Sequence, residues 1–161
     1  MKMIHRTSRT VLRSIAAAGF LALAAGAASA GECPADKIAA NATKPGATEP
    51  KGVSDTVLAS IDLGQEIDGF QGRQLRTRML EIQPGGVVPW HSHEDRPALI
   101  YVLEGTVLEY ASNCAVPIEH KTGETSVETK EVAHWWKNEG KSVVKLLAAD
   151  VFHVQKTASA Q

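Results

Sequence analysis

His91 and His93, one residue apart, are the side chains of this sequence best placed to do chemistry. On a strand, positions i and i+2 project to the same face, so two imidazoles at that spacing can grip one ion. Trp90 and Ser92 then face the other way. Taken alone, the tripeptide fits packed or surface histidines equally well, because intermediate burial is normal for this residue. Glu94 and Asp95 follow at once in a stretch that reads as a turn, and they suit contacts with Arg96 or solvent better than places on a metal. His120 and His153 read as ordinary packed or surface histidines. No nucleophile elbow, Gly-rich phosphate loop or paired Asp and Glu signature is present, so the chemistry on offer is that of a bound metal.

Such a pair needs strands to carry it. After Gly52 the chain turns to short segments rich in Val, Ile, Leu, Thr and Trp, broken by Gly, Pro and Asn every 8–12 residues or so, the texture of an all-β sandwich or barrel. Strands are expected over 57–63, 74–83, 87–93, 98–103, 107–112, 118–121, 125–128, 134–137 and 143–151. Gln83-Pro84-Gly85-Gly86, Leu103-Glu104-Gly105-Thr106 and Asn138-Glu139-Gly140-Lys141 carry turn chemistry between them. No repeat of 20–50 residues is visible, which disfavours a propeller or solenoid. Alternation puts Trp136 on the face of His134 and Trp135 on the opposite one. Tyr101 and Leu103 alternate with Ile100 and Val102, and one of these sets must line the barrel. Tyr101, Trp136 and Arg96 are the candidate pocket residues. Arg96, just before Pro97, could attract an anionic substrate or serve in a surface ion pair.

The spacing of several residues resembles the cupin superfamily. Gly85, His91, His93 and Gly105 fall on its first motif, and Gly123, His134 and Asn138 on its second. Ala98 stands where the first motif has Glu, and Thr129 and Glu131 replace the Pro and a Gly of the second. The resemblance implies a double-stranded β-helix, or jelly-roll β-barrel, in which His91, His93 and His134 meet around one divalent transition metal. With the carboxylate ligand lost, three imidazoles suit Zn, Cu, Fe or Ni and leave positions open for water or substrate; Mn also occurs in the family. Cupins include oxygenases, isomerases, decarboxylases and binders, so a metal-dependent enzyme stands beside a non-catalytic protein that senses, stores or presents a ligand, and beside a metal-free barrel.

At the N-terminus, Lys2, Arg6, Arg9 and Arg13 precede an apolar run from Ile15 to Ala27 that closes in Ala28-Ser29-Ala30, the small-x-small pattern a signal peptidase cuts. Residues 1–30 are therefore expected to be a removed signal peptide and the protein to be exported, periplasmic or secreted. As a membrane anchor the run is too short and too rich in Ala and Gly for the roughly 20 apolar residues a bilayer demands. Glu32 before Cys33 speaks against a lipid anchor. The remaining 131 residues suit one domain, expected at 55–152, with an extended arm over 31–54 and a tail over 153–161. They hold 13 basic and 18 acidic residues, a net charge of −5 that makes nucleic acid an unsuitable partner. A small-molecule ligand or substrate is the expected partner, with a homodimer left open. In an oxidising compartment Cys33 and Cys114 are expected to pair, the alternative being two thiols too far apart to bridge.

Overall fold

The structure is a computed structural model that describes residues 31–154. The expected signal peptide and the end of the expected tail lie outside the described residues. Eight strands follow a short 3-10 turn at Ala35–Lys37: β1 Lys51–Asp62, β2 Arg73–Ser92, β3 Ala98–Glu104, β4 Thr106–Ala111, β5 Ile118–Lys121, β6 Thr125–Glu128, β7 Ala133–Lys137 and β8 Val144–His153. One helical turn, α1 Leu63–Glu66, links β1 to β2 and is capped by Asp62, whose carboxylate accepts from the Gly64 amide. All strand pairings are antiparallel. The order β5-β4-β7-β2-β8-β3-β6, with β1 on the free edge of the first half of β2, makes a nearly closed jelly-roll barrel, as expected from the sequence.

Alternation decides what fills it. In β3, Ala98, Ile100 and Val102 are buried while Leu99, Tyr101 and Leu103 are exposed. With Ile82, Val107, Val144, Leu146 and Ala148 these residues form the main core. Each fully buried Val, Leu or Ile there contributes about 1.5–3 kcal/mol relative to an exposed one.

Two expectations need correction. The segments 74–83 and 87–93 are not separate strands but one 20-residue strand, β2. Gln83-Pro84-Gly85-Gly86 bends that strand around the barrel instead of reversing it. Gly85 sits at φ 72°, and a Cβ on Gly86 would lie 2.7 Å from Gln83 O and 2.8 Å from Gly52 O, so only glycines fit where β1 crosses the bend. β1 also starts earlier than the hydrophobic pattern implies. Its first residues are held by backbone pairing to β2 rather than by burial, and so leave no apolar signature.

Asn138 locks the bend. Its amide nitrogen donates to Ile82 O and Ser142 O, both at 2.8 Å, its side-chain oxygen accepts from the Gly140 amide at 2.9 Å, and its backbone pairs with Gly85 and Gly86. On the other side of the barrel the arm is laced to the segment after β4. Ile38 bridges Cys114, Ala42 N donates to Ser112 O, Thr43 Oγ1 donates to Cys114 O, and Cys33 is disulfide-bonded to Cys114 across a Cα separation of 5.7 Å. Among the described residues no helix is long and apolar enough to cross a membrane.

The disulfide closes a loop 81 residues apart in sequence. Its removal in a Cys33→Ala, Cys114→Ala double variant is expected to lower unfolding stability by about 4 kcal/mol. Urea denaturation of the oxidised wild type against the variant measures this, and equal midpoints would mean the cross-link constrains nothing.

Candidate metal centre

The register of β2 against β7 sets His91 directly opposite His134, and both side chains point into the barrel. His93 lies one residue past the end of β2, in a turn closed by the Arg96 amide donating to His93 O at 3.0 Å. The three ring centroids are 4.6–5.1 Å apart. His91 Nε2 lies 3.0 Å from His93 Nε2 and 3.2 Å from His134 Nε2.

Each ring's other nitrogen is already spoken for. His91 Nδ1 donates to Pro89 O at 2.8 Å, His93 Nδ1 to Arg96 O at 2.8 Å, and His134 Nδ1 to Glu109 Oε1 at 2.5 Å. With the proton on Nδ1, a neutral imidazole presents only a lone pair at Nε2. The three Nε2 atoms are thus acceptors facing acceptors, an arrangement that repels unless a cation stands between them. Metal–nitrogen bonds of about 2.0–2.1 Å put ligand nitrogens about 2.9 Å apart at right angles and about 3.4 Å apart at tetrahedral angles. The observed separations fall in that window, so the donor set fits a divalent transition metal. Burial, reinforced by the neighbouring imidazoles and Arg96, lowers the His91 and His93 pKa values to about 4, which keeps both in the neutral, ligating form at neutral pH.

Behind His134 lies a layer the sequence reading missed. Glu109 on β4 accepts from His134 through Oε1 and from His120 Nε2 through Oε2, at 2.8 Å. Burial alone would push its carboxyl up, but these two hydrogen bonds more than offset it and hold the pKa at about 2. His120 is fully buried and stacked on Trp136 with centroids 4.7 Å apart, so it is neither a surface residue nor idle packing. Glu128, opposite Ala98 in the β3–β6 register, brings Oε2 within 3.2 Å of His134 Nδ1. A carboxylate therefore sits beside Ala98, but on the back of His134 rather than on its metal-facing side. Burial, and the Glu109 charge to a lesser degree, raises its pKa. Parity carried the signal: Glu109 shares the inward face of Val107 and Ala111, as His120 does that of Ile118.

In front of the histidines opens a cavity of about 190 Å³ whose walls include Arg78, Arg96, Ile100 and Trp136. Trp136 is buried and edge-on to His134, while Trp135 stacks on Tyr110. Arg96 also lines the cavity, 3.5 Å from the buried Asp150. Tyr101 does not. It lies on the outward face of β3 at 41% exposure, and Ile100 takes the cavity position. Asp95 pairs with Arg73 and His153 near the surface, away from Arg96, which places His153 outside the centre too.

A family model for the cupin domain matches residues 78–150, the span from the middle of β2 to β8 that holds all three histidines. The matched span, residues 78–150, is a cupin domain. This cupin is 28% identical over 119 residues to a germin-like protein, subfamily 2 member 2, of Arabidopsis thaliana, covering 71% of this chain and 54% of that one. It spans about half the length of that relative and of nectarin-1 from Nicotiana plumbaginifolia. Among solved structures it superposes on a predicted oxalate decarboxylase of Thermotoga maritima with a TM-score of 0.54 at 18% identity, covering 71% of this chain and 97% of that one. That likeness carries the fold alone.

Glu109→Gln keeps the shape but removes the charge that orients two imidazoles. Metal affinity is expected to fall about 10–100-fold, with far-UV circular dichroism unchanged. His153→Ala should leave affinity as it is. Isothermal titration with Zn or Mn decides, and unaltered affinity in Glu109→Gln would remove that carboxylate from the site.

Proposed function

We propose that this cupin is an exported protein that holds one divalent transition metal, drawn from Fe, Mn, Ni, Zn and Cu, on His91, His93 and His134, and takes a small anionic molecule into the cavity in front of them. The observation that carries this reading is the convergence of three Nε2 lone pairs whose opposite nitrogens are all committed as donors. A metal bound there supplies a Lewis acid able to polarise a coordinated oxygen. The chain's own contribution is to orient and to desolvate. Trp136, Ile100 and Val88 line the cavity with apolar surface, and apolar walls strengthen every charge interaction within it.

The preference for an anion follows from the charges. Arg76, Arg78 and Arg96 gather around a single buried carboxylate, Asp150, with Asp55 at the edge pairing to Arg78. Three guanidinium groups against two carboxylates leave one positive charge over. Arg78 is buried, and its Nε has no hydrogen-bond partner among the described residues. A dicarboxylate in the cavity would set one carboxylate against Arg78 and Arg96, as a charge-assisted hydrogen-bonded pair, and the other toward the metal. Metal-dependent turnover and binding without turnover both use this arrangement. The second is favoured because, apart from the three histidines assigned to the metal, the one carboxylate among the lining residues is Asp55, which is already ion-paired.

Protein purified without chelators and offered the five metals is expected to retain about one equivalent, falling below about a tenth of that in His134→Ala, since a stable site needs at least three donors. Malonate or succinate should then bind the loaded protein, and Arg96→Gln should weaken that binding about tenfold at unchanged metal content, as loss of one charged hydrogen bond does. Wild-type protein that takes up none of the metals overturns the proposal. Oxygen uptake or product formation on an anion that binds separates enzyme from binder.

A second copy of the chain is the partner we infer for β1. Val57, Leu58 and Ile61 are each at least half exposed, with Leu58 at the bulge between Val57 and Ala59, so β1 carries unburied apolar surface along its length. Among the described residues its one strand partner is β2, which leaves the other edge unpaired; such edges are templates for further pairing. Sedimentation velocity is expected to show a dimer that Leu58→Glu converts to monomer. A monomeric wild type at tens of micromolar would remove this partner.

A further inference from the structure

A second cavity, also about 190 Å³, lies behind the metal centre where the barrel is not fully closed between β5 and β6. Its walls include Glu109, Ile118, Ser126 and Glu128 from the barrel and Gly31 and Cys33 from the arm. It thus adjoins the Glu109 layer behind His134 rather than the front cavity.

Two buried groups there lack what they need. His120 is fully buried and its Nε2 donates to Glu109, so the Nδ1 of the neutral ring is an acceptor, and it has no hydrogen-bond partner among the described residues. Glu128, also buried, accepts from Ser126 Oγ at 2.7 Å, but the single Nδ1 proton of His134 goes to Glu109 at the shorter distance. A pair of buried carboxylates with one unfilled acceptor beside it calls for a cationic donor.

Gly31 is pressed against that acceptor. A Cβ on it would lie 2.6 Å from His120 Nδ1, and its φ is 77°, so an L side chain is disfavoured twice over. Standard backbone geometry then puts the Gly31 nitrogen within about 5 Å of Nδ1. The disulfide at Cys33, two residues on, holds the segment in place. Gly31 is also the residue that follows Ala28-Ser29-Ala30.

We propose that cleavage after Ala30 frees the α-ammonium group of Gly31 inside this rear cavity, where it donates to His120 Nδ1 and offsets the charge of Glu109 and Glu128. The proposal rests on the signal-peptide reading of residues 1–30. In the uncleaved chain the same nitrogen is a peptide N–H with one proton and no charge; after cleavage it has three protons, one charge and free rotation. Removal of the leader then completes the polar chain Gly31, His120, Glu109, His134 and so finishes ordering the metal ligand from behind.

The mass of the exported protein first fixes its N-terminus; a start at any residue other than Gly31 overturns the processing step. Two further chains, cut from a fusion partner to begin at Gly31 or at one additional Ala before it, test the seat itself. At pH 7, acylation of the Gly31 amine is expected to run about tenfold slower than in a free peptide of the same sequence, the effect of raising an amine pKa by one unit. The amine of the Ala-extended chain should react at the peptide rate, and that chain should melt a few degrees lower, as the loss of about 1 kcal/mol implies. Equal labelling rates for the Gly31 chain and the peptide overturn the seat whether or not cleavage occurs after Ala30.

Discussion

Three lone pairs pointed at one another across about 3 Å form the constraint on which the rest of this barrel depends. Left to themselves the rings would swing apart or take up protons. They are prevented by three acceptors placed behind them: two backbone carbonyls fixed by the β2 terminus and the turn after it, and one carboxylate on β4. The carbonyls come with the local chain path. The carboxylate does not, and it brings a cost. A buried charge must be surrounded by donors, and Glu109 obtains them by bridging two histidines, one of which faces the centre while the other does not. The polar layer behind the site follows from that one need.

How far the sequence revealed this depended on periodicity. Strand period two is easy to read where one face is apolar and the other polar, so β5 and the shared face of His91 and His134 are legible, whereas β3 is apolar on both faces and β6 buries Ser126 and Glu128 while exposing Val127. Where a strand is held by its backbone alone, as at the start of β1, no side-chain pattern marks it. The β2 bend was misread for a related reason: Pro-Gly-Gly signals a break in straight pairing, and only the partner strands decide whether the chain reverses or bends. Tyr101 is a pocket candidate because either alternating set of β3 could line the barrel; the burial of Ala98, Ile100 and Val102 places it outside. Glu109 and His120 were overlooked although their parity with Val107 and Ile118 placed them inside. Pairing between distant strands, which a single sequence does not display, turned these two from anomalies in an apolar face into a hydrogen-bonded unit.

The substitution at Ala98 acquires a different meaning in three dimensions. A carboxylate has not vanished from the region; Glu128, across the β3–β6 ladder, is its neighbour. On the back of His134, however, a carboxylate tunes a ligand instead of being one. A centre with three neutral ligands keeps the full charge of a divalent ion, which suits it to anions, and the arginine excess around Asp150 points the same way.

The bend at Pro84-Gly85-Gly86 has a mechanical consequence. Because β2 pairs with β1 and β8 before the bend and with β7 after it, none of these three strands can part from the barrel without breaking hydrogen bonds made by this one strand, whereas β5 and β6 at the two ends of the sheet are held only by β4 and β3. A fold of two independent sheets could breathe one layer at a time. Here the strand acts as a common spine for β1, β7 and β8, so the deepest amides of these four strands are expected to exchange as one cooperative unit, with the histidine at the far end of the spine held by the same ladder.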